Sequence, residues 1–197
     1  VDADNHSAPS PLRELCRQGN RLLTYRTGSL SLPTIAMPKK SAAPFVLAEA
    51  LLSAFDTNDR INHYLLENLP ADAWRAEPPR KKGRDVAGVV AHMHNVRVMW
   101  LKATKGKIPE QLDRFTVTPA QAKNALDASR SALREVLQSA LETDGRIKGF
   151  RPDVAGFFAY LVAHDAHHRG QIAMLARQAG YPIPQKATFG MWEWGVR

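Results

Sequence analysis

The chain contains a single cysteine among 197 residues, Cys16 near its start. One thiol cannot form an intrachain disulfide, and the later part of the chain, where hydrophobic patterns are found, has no cysteine nucleophile. The sequence also lacks apolar runs approaching the roughly 20 residues that a membrane-spanning helix needs. No apolar segment follows the first basic residues in the manner of a secretory signal. These absences predict a cytoplasmic protein without a membrane partner.

The composition is that of a folded domain with an excess of positive charge. Hydrophobic residues make up 44% of the chain and charged residues 23%, and the formal net charge is +8. Much of the basic charge lies in the segment 80–84 and in Lys102, Lys105 and Lys107 at a predicted helix end. Positive side chains near the C-terminal end of a helix interact favourably with the helix dipole. We therefore do not expect a nucleic-acid partner, and an anionic substrate stays open as a second explanation.

Residues 1–43 differ from the rest in being rich in Ser, Pro, Thr and Arg without a sustained hydrophobic period. This composition predicts a disordered or loosely packed N-terminal extension. A transit peptide would share the Arg and Ser content, but Asp2, Asp4 and Glu14 argue against one. Another interpretation is that Met37 starts the native protein and that the upstream residues are not native.

From residue 44 to residue 197 the hydrophobic period predicts four helices. They span about 44–69, 85–105, 118–143 and 152–180, and the third begins with a capping-box sequence, Thr118-Pro119-Ala120-Gln121. No strand-like alternation or hairpin turn is evident, so the expected fold is an all-α four-helix bundle. The second connection has about a dozen residues, enough to run back along a helix, so a parallel crossover is permitted but not required.

The fourth predicted helix places His164 and His168 in the middle of an apolar face that contains Phe157, Leu161 and Ile172. Residues four apart lie one turn from each other, with Cβ atoms roughly 5 to 6 Å apart, so both imidazoles can reach one divalent ion. The alternative is a pair of neutral core histidines. Because both polar rings would then need hydrogen-bond partners among phenylalanines, we favour a metal.

Two histidines do not complete a catalytic metal centre, which usually takes three protein ligands and leaves a position for water. The second helix offers His92 and His94, which are about 200° apart around its axis, so only one can face a given point. The apolar stripe of that helix leaves the two nearly symmetric, and the period does not choose between them. His63, at the edge of the first helix stripe, and His6 are expected to face solvent.

Other polar side chains are expected near the histidines as ligand-orienting or substrate contacts: Asn62, Arg97, Asp165 and Gln171. A buried arginine normally requires a carboxylate or an anionic ligand, and an Arg97–Asp165 pair is at least as well supported as substrate recognition. Gln171 is placed to hydrogen-bond a ligand histidine or a bound water. Gly170 costs about 1 kcal/mol relative to alanine inside a helix, which suggests a close approach by another helix or by the metal site.

The sequence His164-Asp165-x-x-His168 differs from the zinc-protease motif His-Glu-x-x-His in having Asp at the position of the catalytic Glu. The aspartate is one methylene shorter, and no substrate-binding sheet is expected. A protease is therefore disfavoured.

Two motifs carry a resemblance to a known family: Ala91-His92-Met93-His94-Asn95-Val96-Arg97-Val98-Met99-Trp100-Leu101 and His164-x-x-x-His168-Arg169-Gly170-Gln171. With them, residues 44–197 resemble the DinB/YfiT-like superfamily of small bacterial metalloproteins. The closing Gly190-Met191-Trp192-Glu193-Trp194 is similar to the endings of some members. The resemblance implies an up-down-down-up bundle and one divalent metal, often nickel or zinc. It assigns the ligands as His92, His164 and His168, with His94 as the weaker choice.

The resemblance also implies a range of functions. A three-histidine ion with an open position lowers the pKa of bound water toward about 7, or deprotonates a thiol. Some members resemble hydrolases, and others use low-molecular-weight thiols such as bacillithiol or mycothiol. We therefore expect a metal-dependent hydrolase or thiol transferase with a small-molecule substrate. The resemblance also implies that the protein forms a homodimer. The alternative is a non-catalytic, stress-associated metal-binding bundle that acts through a protein or DNA partner, which would have a closed four-ligand site.

Overall fold

Four long helices make up most of the chain that the structure describes. A computed structural model describes residues 44–78 and 81–197. The long helices are α1 (Leu47–Glu67), α2 (Val86–Thr104), α3 (Pro119–Leu141) and α4 (Val154–Gln178). The shorter elements are a 3₁₀ turn (Ala71–Ala73), strands β1 (Arg146–Ile147) and β2 (Phe150–Asp153), and α5 (Gln185–Gly190). The all-α four-helix prediction is confirmed, and each long helix lies within a few residues of its expected bounds.

The expectations for residues 1–43, including Met37 as the first native residue, lie outside the described residues. The domain boundary at residue 44 stays a prediction. Within the described ranges, none of the helices is both long and apolar enough to span a bilayer.

Capping side chains determine where three of the long helices begin. Asp85, Thr118 and Asp153 have extended backbone, and each side chain accepts a hydrogen bond from the backbone N–H three residues later. In α3 the side chain of Gln121 accepts from the backbone N–H of Thr118, which completes the predicted capping box, with Pro119 in the first turn. These bonds satisfy N–H groups that have no partner within the helix.

Two apolar clusters show the direction of each helix. The first joins the ends of α1 and α4 to the starts of α2 and α3, through residues such as Leu65, Ile172, Val89 and Leu126. The second joins the starts of α1 and α4 to the ends of α2 and α3, through Phe55, Phe157, Leu101 and Leu137. The chain therefore runs up, down, down and up, as expected. Both α1 and α2 pack against α3 and α4, so α1 and α2 occupy diagonal corners.

The connection between α2 and α3 runs back along α2, which makes those two helices parallel. Nε2 of His94 lies 2.8 Å from the carbonyl oxygen of Glu110. Further along, Asn95 donates to the carbonyl of Leu112 and accepts from its N–H, both at 2.9 Å. These side-chain bonds satisfy backbone groups that an irregular segment cannot pair with itself. The crossover permitted by the loop length is the one that forms.

A small antiparallel hairpin, β1 and β2, lies between α3 and α4 where no strand was expected. Ile147 pairs with Phe150, and the turn between them uses Gly149 at a φ of +83°. Strands of two and four residues are too short to produce a recognisable alternation. The ring of Phe150 packs edge-on against Trp100 and Phe157, at centroid distances of 5.5 and 5.1 Å. The hairpin thus closes the second apolar cluster.

Candidate metal centre

Three imidazoles from two helices meet where α2 packs against α4. One ligand nitrogen from each of His92, His164 and His168 lies within 4.8 Å of the other two. The ring centroids are 5.6 Å apart for His92 and His164, 4.8 Å for His92 and His168, and 4.4 Å for His164 and His168. The structure therefore brings together the three histidines that the sequence and the resemblance singled out.

The distance between two of the nitrogens fits a shared ion. Nε2 of His164 and Nε2 of His168 are 3.2 Å apart. Two nitrogens at about 2.05 Å from one ion lie about 3.3 Å apart when the angle at the ion is tetrahedral. The same distance would suit a hydrogen bond between two neutral rings, the core-histidine alternative. A hydrogen-bonded pair does not account for a third imidazole, that of His92, at the same point.

Gln171 determines which nitrogen of His168 carries the proton. Nδ1 of His168 is 2.8 Å from Oε1 of Gln171. An amide oxygen can only accept, so Nδ1 donates and Nε2 keeps its lone pair for a ligand. The amide nitrogen of Gln171 lies 3.0 Å from Nε2 of His167, which holds the amide in this orientation. The predicted contact between Gln171 and a site histidine is present.

Burial keeps two of the imidazoles neutral. Desolvation, with added repulsion from Arg84 and the other two histidines, lowers the pKa of His92 to about 4. Desolvation also lowers the pKa of His168, although its bond to Gln171 opposes the effect. Neutral imidazole is the form that binds metal ions. Both rings are therefore in the ligand form at neutral pH.

The centre is only partly enclosed. His168 is 5% exposed, whereas His92 and His164 are half-buried and His167 beside them is exposed. Among the described residues, no fourth His, Cys, Asp or Glu joins the three. Three protein donors with access from solvent leave a place for water or for a substrate group, the arrangement typical of catalytic rather than structural sites.

His94, the other candidate on α2, does not reach this point. It is completely buried, with Nδ1 at 3.1 Å from the Ser129 hydroxyl and Nε2 at 2.8 Å from the carbonyl of Glu110. Both ring nitrogens have protein partners, so His94 is a satisfied core histidine. The packing of α3 and the crossover against α2 turns His94 inward and leaves His92 facing α4.

A buried polar network lies beside the histidines. Nη2 of Arg97, a residue only 1% exposed, lies 2.7 Å from Oδ2 of Asp165, and its Nη1 lies 2.8 Å from Oδ1 of Asp59. Asn58 and Asn62 donate to Oδ2 of Asp165 at 2.7 and 2.9 Å. The expected Arg97–Asp165 pair is therefore present. Asn62, expected near the histidines, donates a hydrogen bond to the Asp165 carboxylate.

Three members of the network were missed in the sequence: Asn58, Asp59 and Arg169. Nη1 of Arg169 donates to Oδ1 of Asn58 at 2.8 Å and to Oδ1 of Asn62 at 2.6 Å. One signal was available, because Asn58 and Asn62 are four apart and share a helix face. Nothing in the sequence shows which cation from another helix that face meets.

The charges within the network stabilise one another. Burial by itself would raise the pKa of Asp165, but Arg97, His164 and Asn62 hold that pKa well below its usual range. Desolvation would raise the pKa of Asp59, but Arg97 and His63 together lower it, and the two carboxylates in turn raise the pKa of Arg97. All three groups stay ionised at neutral pH.

Asp165 connects this network to the centre. Its Oδ1 lies 3.9 Å from Nδ1 of His164, too far for a hydrogen bond but close enough for its charge to favour a proton on that nitrogen. Oδ2 of Asp165 is occupied by Arg97 and two asparagines. Asp165, at the position of the catalytic glutamate in the protease motif, is thus bonded to buried side chains, which agrees with the argument against a protease.

Two minor expectations are wrong. His63 does not face solvent freely, since its Nε2 lies 3.2 Å from Oδ1 of Asp127 and 3.5 Å from Oδ2 of Asp59, where α3 packs against α1. Gly170 does not mark a close approach, because a Cβ added there would meet nothing within 4 Å.

A family model described as "DinB family" matches residues 37–194. The crystal structure of a DinB-like protein from Bacillus cereus, at 2.01 Å resolution, aligns with a TM-score of 0.54 and 22% identity, covering 69% of this chain and 95% of that one. At that identity the likeness supports the fold alone. Comparison with curated proteins finds no match.

Proposed function

Because the chain belongs to the DinB family, we propose that it is a metal-dependent enzyme whose divalent ion is held by His92, His164 and His168. The observation that carries this proposal is the convergence of three imidazole nitrogens within 4.8 Å at a half-exposed point. Imidazole nitrogens suit several first-row metals, and zinc or nickel is the ion we propose.

The surroundings of the rings support a cation between them. Oε1 of Gln171 accepts a hydrogen bond from Nδ1–H of His168, and the Asp165 carboxylate favours a proton on Nδ1 of His164. With both protons on Nδ1, two Nε2 lone pairs face each other at 3.2 Å. That arrangement is repulsive without a positive charge and favourable with one.

The residues around the proposed ion would have different roles. His92, His164 and His168 bind, while Gln171 and Asp165 orient two of the rings. Arg97 holds Asp165 in place through the 2.7 Å ion pair. When bound, the ion would supply Lewis acidity that activates a water or a low-molecular-weight thiol. We accordingly propose a hydrolase or a thiol-dependent transferase acting on a small molecule.

Metal content tests the proposal most directly. Protein purified without an affinity tag should contain about one equivalent of zinc or nickel per chain by elemental analysis. His92→Ala and His168→Ala should lower this to near zero, because two imidazoles alone hold an ion weakly. Gln178→Ala is the control, since it removes an exposed polar side chain from the end of the same helix, away from the three histidines, and should leave the metal content unchanged.

A wild-type chain without metal, or a His92→Ala chain that keeps it, would contradict the assignment. Activity is tested separately, by assaying the metal-loaded protein with electrophiles plus various thiols and with ester and amide substrates. If a folded, metal-loaded chain is inactive in all assays and binds a protein or DNA partner instead, the non-catalytic alternative replaces the enzyme.

A further inference from the structure

A groove of about 210 Å³ adjoins the metal centre. Its floor and walls combine the segment before α2 with one face each of α2 and α4: Lys82, Gly83, Arg84, Val89, Met174 and Leu175. Gln171 also lines the groove, and the same side chain bonds His168 in the centre. The groove and the centre therefore share a wall.

The cations in this groove differ from their neighbours. Lys81 lies 3.7 Å from Glu77, and Arg75 lies 3.1 Å from Asp85, so each has an acidic partner. Among residues 44–78 and 81–197, the ion pairs within 4.0 Å include neither Lys82 nor Arg84, and no acidic side chain lines the groove. Among the described residues, the side chains that line the groove thus carry positive charge only, beside the half-exposed metal centre.

We propose that this groove binds the anionic group, carboxylate or phosphate, of a small organic molecule whose apolar part lies on Val89, Met174 and Leu175. The inference rests on the proposed function in one respect, since the bound molecule would be the substrate or cosubstrate of the adjoining metal centre. Lysine and arginine side chains bind anionic oxygens through charge-assisted hydrogen bonds. The volume is below the roughly 300 to 1,000 Å³ of drug-sized pockets, which favours a ligand with few atoms.

Titration of the full-length protein by ¹H–¹⁵N NMR tests the groove with three probes of equal chain length: hexanoate, hexyl phosphate and hexan-1-ol. We expect the two anions to shift the backbone amide of Gly83 and the side-chain amide of Gln171 saturably. The neutral alcohol should bind more weakly, and added NaCl should weaken the anions because exposed charges are screened. Whichever anion binds more tightly identifies the preferred head group.

Variants test whether Lys82 and Arg84 are responsible for anion binding. The double variant Lys82→Gln/Arg84→Gln should weaken anion binding by about tenfold, as expected when two exposed charge contacts are lost. Lys102→Gln/Lys107→Gln is the matched control, because it removes the same number of positive charges, two, from exposed positions at and just beyond the other end of α2. It should bind the anions as the wild type does.

Equal affinity for hexanoate and hexan-1-ol, or unchanged anion binding in the double variant, would overturn the inference. Metal content, measured on the same samples, separates the two proposals. A chain that takes up no metal yet binds hexanoate at Gly83 supports the groove and contradicts the metal-dependent function. A chain with its full metal complement whose Gly83 amide does not respond to either anion contradicts the groove alone.

Discussion

At the scale of single residues, the role of each histidine follows from what its second ring nitrogen meets. His168 donates Nδ1–H to Gln171 and keeps Nε2 for the centre. His94 has both nitrogens occupied by Ser129 and Glu110 and has none left for a metal. Sequence position does not separate these cases, whereas the hydrogen-bond partner does.

Gln171→Ala tests this orienting role. We expect metal affinity to fall about 10- to 100-fold, the usual effect of removing a hydrogen bond to a ligand histidine. Competition with a chromophoric chelator measures the affinity, and circular dichroism checks that the helices remain. Gln178→Ala, an exposed glutamine at the end of the same helix, is the control. Unchanged affinity in Gln171→Ala would show that Gln171 does not position His168.

His63 gives a pH-dependent prediction that does not involve the metal centre. The Asp59 carboxylate, whose Oδ2 lies 3.5 Å from Nε2, raises the pKa of His63 above 6.5 despite desolvation, and the charges of Asp127 and Glu67 add to the effect. A raised folded-state pKa contributes stability that is complete below the unfolded pKa and is lost as the pH rises through the folded pKa. The stability difference between wild type and His63→Gln should therefore be larger at pH 6 than at pH 9.

Urea unfolding at the two pH values measures that difference, and subtraction of the variant removes effects common to both proteins. A difference that stays constant, or that grows toward pH 9, would contradict the ion-paired role of His63.

At the scale of helices, the polar network joins α1, α2 and α4 through one buried cation. Arg97 on α2 contacts Asp59 on α1 and Asp165 on α4. A buried ion pair adds little net stability compared with an apolar core, but removal of one partner leaves a buried charge uncompensated. We therefore expect the network to contribute more to the arrangement of these helices than to the net stability of the fold.

Arg97→Met should destabilise the protein by about 3 to 5 kcal/mol, because two buried carboxylates lose their cation. Chemical denaturation measures the loss. Arg134→Met, which removes a half-exposed contact with Asp56, should cost about 1 kcal/mol or less. Adding Asp165→Asn to Arg97→Met should restore part of the stability. Equal losses in Arg97→Met and Arg134→Met would show that the buried pair is not tightly coupled to the fold.

At the scale of the whole molecule, the up-down-down-up topology makes α2 and α4 antiparallel neighbours. Because of this arrangement, a histidine from α2 lies opposite a pair from α4. Two apolar clusters hold the bundle at its ends without the centre. The homodimer implied by the resemblance stays a prediction.

Removal of metal should therefore lower the stability without unfolding the bundle. A ligand that binds only the folded state stabilises it by about 2.7 kcal/mol when present at 100 times its Kd. We expect a chelator to lower the Tm of the wild type by several degrees while the helical circular dichroism at 25 °C persists. His92→Ala should have the lower Tm already and should not respond. A wild-type Tm that is insensitive to the chelator would contradict the metal assignment.

The amino-acid sequence by itself determined the features that depend on neighbours along the chain. The four helices, the capping box at Thr118 and the pairing of His164 with His168 on one face were all readable, because the helical period relates residues three and four apart. The length of the second connection made a parallel crossover available. The family resemblance added the topology and the choice of His92 as the proposed third ligand.

Only the tertiary structure decided how one helix faces another. His92 and His94 are equivalent by period, and the packing of α3 and the crossover against α2 makes His94 a core residue. The pairing of Arg97 with Asp59, and of Arg169 with Asn58, depends on the rotation and shift between helices, which the period within one helix does not specify. Contacts inside a helix repeat with its geometry, whereas contacts between helices arise from the packing of side chains throughout the molecule.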